Sequence, residues 1–105
     1  MDILITYLIC LRNKIFKLLP MRDAHDKGEE NHLGDYLENL YVYFDGGFGC
    51  YPELTREREI IEALGNVAFL KNNSDIDFKK WRSIILRSIR LVNAVASKYS
   101  DGVEI

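Results

Sequence analysis

The chain has 105 residues, which is close to the commonest size of a single folded domain. Its hydrophobic content of 48% can form one core, and its charged content of 29% is ordinary, so the composition excludes an intrinsically disordered chain. The two cysteines form no CxxC motif and do not resemble the disulfide framework of a small secreted domain. We therefore expect one domain over residues 1–105, with reduced thiols.

The formal net charge of −2 conceals a strong asymmetry along the chain. The region from Asp23 to Glu62 contains eleven acidic and three basic side chains, so it carries −8, while the remainder of the chain carries +6. Two interpretations follow from this pattern. Either the two regions attract each other within the fold, or one of them binds a partner of opposite charge.

The N-terminal segment is apolar but does not have the features of a targeting signal. Its apolar run from Ile3 to Leu11 is shorter than the roughly 20 residues that cross a bilayer. An acidic residue precedes the run and the basic residues follow it, which is the reverse of a secretory signal. We therefore predict a cytoplasmic protein, and a helix lying on a membrane surface is the alternative interpretation of this segment.

Apolar residues at helical spacing predict a first helix from Asp2 to Leu19, which Pro20 should end. Residues 21–32 are polar and contain a glycine, so we expect a solvated linker there. The linker contains both histidines, His25 and His32, among several carboxylates. Their spacing matches no established ligand pattern, and we predict no metal site.

The second helix is predicted from Leu33 to Phe44, with Asn31 as a possible N-cap. Residues 45–52, DGGFGCYP, follow it and contain three glycines in four positions. We interpret them as a glycine-rich central loop that presents Phe48 and Tyr51. The segment matches neither the dinucleotide-binding nor the Walker pattern, so no nucleotide cofactor is predicted.

The third helix is predicted to begin at Pro52, a residue favoured at the first helical position, and to end at the asparagine pair of residues 72–73. Residues 74–77 resemble a capping box for a fourth helix, which should end near residues 101–102. Together these elements predict an all-α protein, a compact bundle of about four amphipathic helices with a glycine-rich central loop.

Catalytic motifs are missing from the sequence, which contains no nucleophile elbow, no HExxH and no Cys/His pair with an orienting partner. We therefore predict that the protein is not an enzyme and has no catalytic residues and no cofactor. The basic residues of the last helix, among them Arg87 and Arg90, leave nucleic-acid binding as an alternative. The acidic central region and the lack of a known nucleic-acid-binding signature argue against it.

Protein binding fits the central region best, because half of the twelve aromatic residues lie between Tyr36 and Tyr51 among many carboxylates. Tyrosine offers contact area at low entropic cost, and surrounding carboxylates attract a basic partner. The residues predicted to contact a partner protein are Asp35, Glu38, Tyr43, Asp45, Phe48, Tyr51, Glu53, Glu57 and Glu59.

In size, helicity and the charge pattern of residues 35–62, the chain resembles the small helical immunity proteins that neutralise bacterial toxins, many of which are basic nucleases. The resemblance implies an inhibitor whose carboxylates meet the lysines and arginines of its toxin. The contacts that it implies are Asp35, Glu38, Asp45, Glu57 and Glu59. A small helical adaptor and a homodimeric regulatory protein are the alternative interpretations, and neither a small-molecule substrate nor a membrane is predicted as a partner.

Overall fold

A computed structural model describes residues 3–100 of the chain. These residues form five α-helices and one 3₁₀-helix, and no strand occurs among them. The helices are α1 (Ile3–Phe16), α2 (Leu18–Asp26), α3 (Leu33–Cys50), α4 (Arg58–Asn72) and α5 (Phe78–Tyr99), and the 3₁₀-helix (Pro52–Arg56) links α3 to α4. The prediction of an all-α bundle is confirmed. Two helices, α1 and α2, occupy the place of the first predicted helix.

Four helices form a ring around one core. Helix α1 packs against α3 and α5, and α4 packs against the same two helices. Helices α3 and α5 therefore lie on opposite sides of the bundle, while α2 extends α1 and contacts both of them. This arrangement leaves the outer faces of α3 and α5 pointing away from each other.

The hydrogen bonds between the helices give their directions. The Tyr36 hydroxyl of α3 donates to the Lys14 carbonyl near the end of α1, and the Tyr7 hydroxyl donates to the Phe44 carbonyl further along α3. Helices α1 and α3 are therefore antiparallel. Helix α5 is antiparallel to α1 as well, because Trp81 lies beside Leu18 while Asn93 bonds to Arg12. It follows that α3 and α5 run in the same direction.

The core is built from the apolar stripe of each helix, as helical periodicity predicts. Trp81 of α5 and Phe44 of α3 are its largest fully buried side chains. The Trp81 indole N–H donates to the Leu18 carbonyl at 3.3 Å, so the largest ring of the core also satisfies its polar group.

The predicted single helix from Asp2 to Leu19, followed by a linker, is wrong within the described residues. The helix breaks at Lys17, and α2 then continues to Asp26. Pro20 is the third residue of α2, where its missing N–H has no partner to lose. The proline therefore lies in the first turn of α2, and the break falls before it, at Lys17.

Arg22 explains why residues 21–26 are ordered against the bundle. Its side chain is buried, and its guanidinium lies 5.0 Å from the centre of the Trp81 ring. Its Nε donates to both carboxylate oxygens of Asp26, at 2.9 and 3.0 Å, and its Nη2 donates to the Ile76 carbonyl. One arginine thus joins α2 to the turn before α5.

The predicted glycine-rich loop is also wrong, because α3 continues without a break through Cys50. Only one of its glycines is needed for packing. A Cβ at Gly47 would overlap the Tyr7 ring and hydroxyl, whereas Gly46 and Gly49 face open space. Packing between α3 and α1 therefore overrides the low helix propensity of these residues.

Helix α3 starts at Leu33 as predicted, but its predicted N-cap and the predicted starts of the next two helices differ from the structure. The Asn31 side chain donates to the Met21 carbonyl at 2.7 Å, and His32, with a φ of 54°, occupies the N-cap of α3. Pro52 begins the 3₁₀-helix, and α4 starts only at Arg58. Asp77 precedes α5 but makes no side-chain cap hydrogen bond, so the predicted capping box does not form. Helix α4 ends at Asn72 as predicted, and residues 101–102 lie outside the described residues.

Candidate protein-binding surface

The outer face of α3 carries a line of exposed side chains that we call the α3 stripe, consisting of Asp35, Glu38, Val42 and Asp45. These residues are three, seven and ten positions apart from the first, so they lie along one side of the helix. All four are exposed, and Val42 is 60% exposed although it is apolar. Helix α3 contains no lysine or arginine, so the helix itself contributes only negative charge to this surface.

The carboxylates of the α3 stripe are only partly neutralised within the chain. Glu38 pairs with Lys71 of α4 at 2.9 Å, but its side chain remains 55% exposed. Asp35 lies 3.8 Å from the His32 imidazole and is 85% exposed. Asp45 forms no ion pair with any residue between 3 and 100. The stripe therefore keeps carboxylate oxygens that can bind a partner.

Tyr43 lies beside the α3 stripe, on the side that faces α1. The residue is 36% exposed, and its ring centroid lies 5.2 Å from that of Tyr7. The Lys14 ammonium lies 5.0 Å from the ring centroid on the same side. Tyr43 is therefore exposed, as predicted, and is held in place by α1.

Phe48 and Tyr51 differ from the prediction that a loop presents them to solvent. Phe48 lies within α3 and stacks on Phe44, with 6.3 Å between the ring centroids. Tyr51 packs on Tyr7 with a centroid distance of 5.1 Å. Both side chains are half-buried. Phe48 and Tyr51 therefore pack beneath the surface against other rings and offer only part of their area to a partner.

Tyr7 organises this aromatic cluster, and our sequence-based assignment missed it. Its hydroxyl donates to the carbonyls of Tyr43 and Phe44, at 3.1 and 3.3 Å, and burial raises the pKa of Tyr7 above its ordinary value. Because Gly47 has no side chain, the Tyr7 ring packs directly against the α3 backbone at this position. A signal was present in the sequence, because Tyr7 lies three residues after Leu4 and so on the buried side of α1.

Glu57 is a correction to the predicted contact set, because the structure buries it. Its side chain is 5% exposed, and its carboxylate accepts hydrogen bonds from the Lys98 ammonium at 2.8 and 2.9 Å and from the Tyr99 hydroxyl at 2.8 Å. These bonds, Lys98 first, lower the pKa of Glu57, and the same contact raises the pKa of Tyr99 to about 12. Glu57 therefore joins α4 to α5 and cannot contact a partner in this conformation.

The remaining predicted carboxylates, Glu53 and Glu59, are exposed but belong to other elements than α3. Glu53 is on the 3₁₀-helix, and its charge contributes to the raised pKa of Tyr99 at the end of α5. Glu59 is in the first turn of α4, where a carboxylate stabilises the N-terminal end of a helix. The structure thus brings together Asp35, Glu38 and Asp45 with Tyr43, and it separates Glu53, Glu57 and Glu59 from them.

Ion pairs across the bundle bear on the first interpretation of the charge asymmetry. Glu57 pairs with Lys98, Glu62 with Arg87 and Glu38 with Lys71, and each pair joins the acidic region to the basic remainder of the chain. Attraction within the fold therefore accounts for part of the asymmetry. It leaves Asp35 and Asp45 on one side of the molecule without a lysine or arginine partner among residues 3–100.

An open depression of about 540 Å³ is lined by His25 and by residues 28–35, which include His32. Residues 3–100 contain no group of three or more histidine, cysteine or carboxylate side chains that could hold a metal ion. Among the same residues, no helix has both the length and the apolar character to cross a membrane. The cytoplasmic location stays a prediction.

No protein-family model matches the chain, and neither a curated protein nor a solved structure does. Function therefore has to be argued from the surface of the molecule, since a helical bundle by itself implies no activity.

Proposed function

We propose that the protein is a protein-binding inhibitor that contacts a basic partner through the α3 stripe, with Tyr43 at its edge. The observation that supports this most is the line of exposed carboxylates at Asp35, Glu38 and Asp45 on a helix without lysine or arginine. Arginine and lysine side chains of a partner can pair with these carboxylates.

The shape of this surface also suits a protein partner. Val42 lies between the carboxylates and offers an apolar contact at the centre of the stripe. Tyr43 supplies an aromatic ring and a hydroxyl that α1 already holds in place, so little entropy is lost when a partner binds. The carboxylates stand on a helix packed into the core, which fixes their spacing before binding.

The particular form of inhibitor that we propose is an immunity protein, which neutralises a basic toxin such as a nuclease. This form rests on the resemblance to such proteins in size, helicity and charge. In it, the carboxylates of the stripe occupy the toxin's lysines and arginines in place of the polyanionic substrate. Glu57 has no part in the contact, because Lys98 and Tyr99 already occupy its carboxylate.

A pull-down from extract of the native host tests this proposal. The bait is wild-type protein beside Glu38→Lys/Asp45→Lys, which reverses two charges of the stripe. The matched control is Glu53→Lys/Glu59→Lys, which makes the same change in charge at exposed positions away from α3. We expect wild type and control to capture the same basic protein and the stripe variant to lose it.

The captured partner then allows a kinetic test. Carboxylates that attract a basic protein raise the association rate constant, and added salt screens this attraction. We expect the association rate constant to fall with salt for wild type and for the control variant. Capture that is unchanged in the stripe variant, or reduced equally in the control, would contradict the proposal.

A further inference from the structure

The outer face of α5 carries a second charged line, which we call the α5 stripe, consisting of Lys79, Arg82, Leu86 and Arg90. These residues and Ser83 line one shallow groove of about 310 Å³. Helix α5 contains six basic residues and no acidic one. Two cations of this helix outside the stripe form ion pairs: Arg87 pairs with Glu62 of α4, and Lys98 pairs with Glu57, the residue before α4.

The cations of the α5 stripe are available to a partner. Lys79, Arg82 and Arg90 are exposed, and none of them forms an ion pair with another residue of the described range, 3–100. Leu86 is half-buried between them and presents an apolar surface. The stripe therefore offers three cations and one apolar side chain along a single helix face.

The α5 stripe and the α3 stripe have opposite charge and the same spacing over their first three residues, and the last residues differ by one position. In the α3 stripe, two carboxylates are followed by Val42 and a third carboxylate, at positions 0, 3, 7 and 10. In the α5 stripe, two cations are followed by Leu86 and a third cation, at positions 0, 3, 7 and 11. At a rise of about 1.5 Å per residue, the α3 stripe is about 15 Å long and the α5 stripe about 16.5 Å. Placed side by side in parallel, they pair Asp35 with Lys79, Glu38 with Arg82, Val42 with Leu86 and Asp45 with Arg90.

The fold places the two stripes where only separate molecules can join them. Helices α3 and α5 lie on opposite sides of the ring and run in the same direction. A second copy can therefore set its α5 stripe parallel to the α3 stripe of the first without being turned end for end. Each copy keeps its other stripe free, so the contact is heterologous and can be repeated.

We infer that the protein associates with itself head to tail, with the α3 stripe of one copy against the α5 stripe of the next. The association is weak, because exposed ion pairs contribute little individually, and it depends strongly on salt. The inference is independent of the proposed function, since it requires no other protein. A basic partner on the α3 stripe would displace the second copy.

Sedimentation velocity of the purified full chain tests the inference. The measurements are made over a range of protein concentrations at about 0.01 M and about 1 M salt, where the screening length is about 30 Å and about 3 Å. At low salt we expect the average mass to rise with protein concentration above that of one chain. At high salt we expect the association constant to fall by about tenfold or more.

Two neutralising variants identify the surfaces. Arg82→Gln/Arg90→Gln removes two of the three charges of the α5 stripe, and Glu38→Gln/Asp45→Asn removes two of the three charges of the α3 stripe. Each variant alone should stay monomeric, because one of its two surfaces is missing. An equimolar mixture should form a dimer that grows no further, since only one pairing of intact stripes remains. Circular dichroism confirms that each variant is folded, as expected for exposed positions.

The matched control is Arg58→Gln/Lys80→Gln, which removes two exposed cations from outside the α5 stripe and should associate like wild type. Three results would overturn the inference. They are a wild type that is monomeric at low salt, a mixture of the two variants that forms no dimer, and a control that loses association as fully as the α5 variant. A monomer that instead binds a DNA duplex through Arg82 and Arg90 would assign the α5 stripe to nucleic acid.

Discussion

Replacing Gly47 by alanine tests how closely α1 and α3 pack. An alanine Cβ at this position would overlap the hydroxyl and ring carbons of Tyr7, and the Cε2 atom would lie 2.9 Å away. Tyr7 cannot move aside freely, because it is buried and its hydroxyl donates to two carbonyls of α3. The variant must therefore shift the ring, break these hydrogen bonds or separate the helices.

The expected change in the free energy of unfolding follows from opposing terms. Glycine to alanine within a helix gains about 1 kcal/mol from helix propensity. Overpacking a well-filled site costs about 1–3 kcal/mol, and losing the hydroxyl's hydrogen bonding costs about 1 kcal/mol more. We therefore expect Gly47→Ala to reduce the free energy of unfolding by roughly 1–3 kcal/mol.

Urea unfolding followed by circular dichroism measures this change. The matched control is Gly46→Ala, which faces open space in the same helix and should gain up to about 1 kcal/mol. In a Tyr7→Leu background, which removes the overlapping atoms, Gly47→Ala should stabilise the protein as the control does. A gain in stability from Gly47→Ala in the wild-type background would refute the reasoning.

Three further predictions concern the ion pairs and the thiols. Glu57→Gln should lower the free energy of unfolding by roughly 1–2 kcal/mol at neutral pH. Because the pKa of Glu57 is lowered in the folded state, the difference in stability between wild type and variant should disappear as the pH falls below the ordinary carboxyl range. Urea unfolding at a series of pH values measures this difference. Arg22→Ala should lose roughly 2 kcal/mol in urea unfolding through lost ring contact and hydrogen bonds. Lys27→Ala, which breaks an exposed ion pair, should leave the free energy of unfolding nearly unchanged, and equal losses in the two variants would contradict this account. Cys10 and Cys50 are both exposed, so a colorimetric thiol reagent should modify two thiols in the folded protein, and a count that reaches two only in denaturant would be inconsistent with the structure.

Helical periodicity was sufficient to predict the fold class and much of the core. In α3 the predicted apolar stripe includes Leu37, Leu40 and Phe44, all of which are buried. In α5 the same reasoning predicts the face that contains Trp81 and Ile85. These predictions succeed because burial of one face is a local consequence of a repeat of 3.6 residues.

The ends of the helices could not be predicted in the same way, because they depend on contacts with distant residues. Residues 45–50 have low helix propensity as an isolated peptide, yet Tyr7 of α1 packs against Gly47 and α3 remains helical. Arg22 holds α2 against Trp81 and the Ile76 carbonyl, so a polar segment that resembles a linker becomes a helix. Neither contact has a signal within the segment itself.

The candidate surface likewise has residues that the sequence predicts correctly and one that depends on distant contacts. The carboxylates at positions 35, 38 and 45 were assigned to a contact surface from the acidic and aromatic character of residues 35–62, and the structure leaves all three exposed. Glu57 was assigned to that surface by its position in the sequence, but its burial depends on Lys98 and Tyr99, which are more than forty residues away. The pattern of charges along the sequence therefore predicts that a surface is negatively charged better than it predicts which residues lie on that surface.

The proposal that the α3 stripe binds a basic partner is tested most directly by nuclear magnetic resonance of the isotope-labelled chain, titrated with the captured partner. The account predicts that chemical-shift changes concentrate at Asp35, Glu38, Val42, Tyr43 and Asp45, and that they disappear in Glu38→Lys/Asp45→Lys. Changes that concentrate on α5 or around Glu53 and Glu59, with the α3 stripe unaffected, would contradict it.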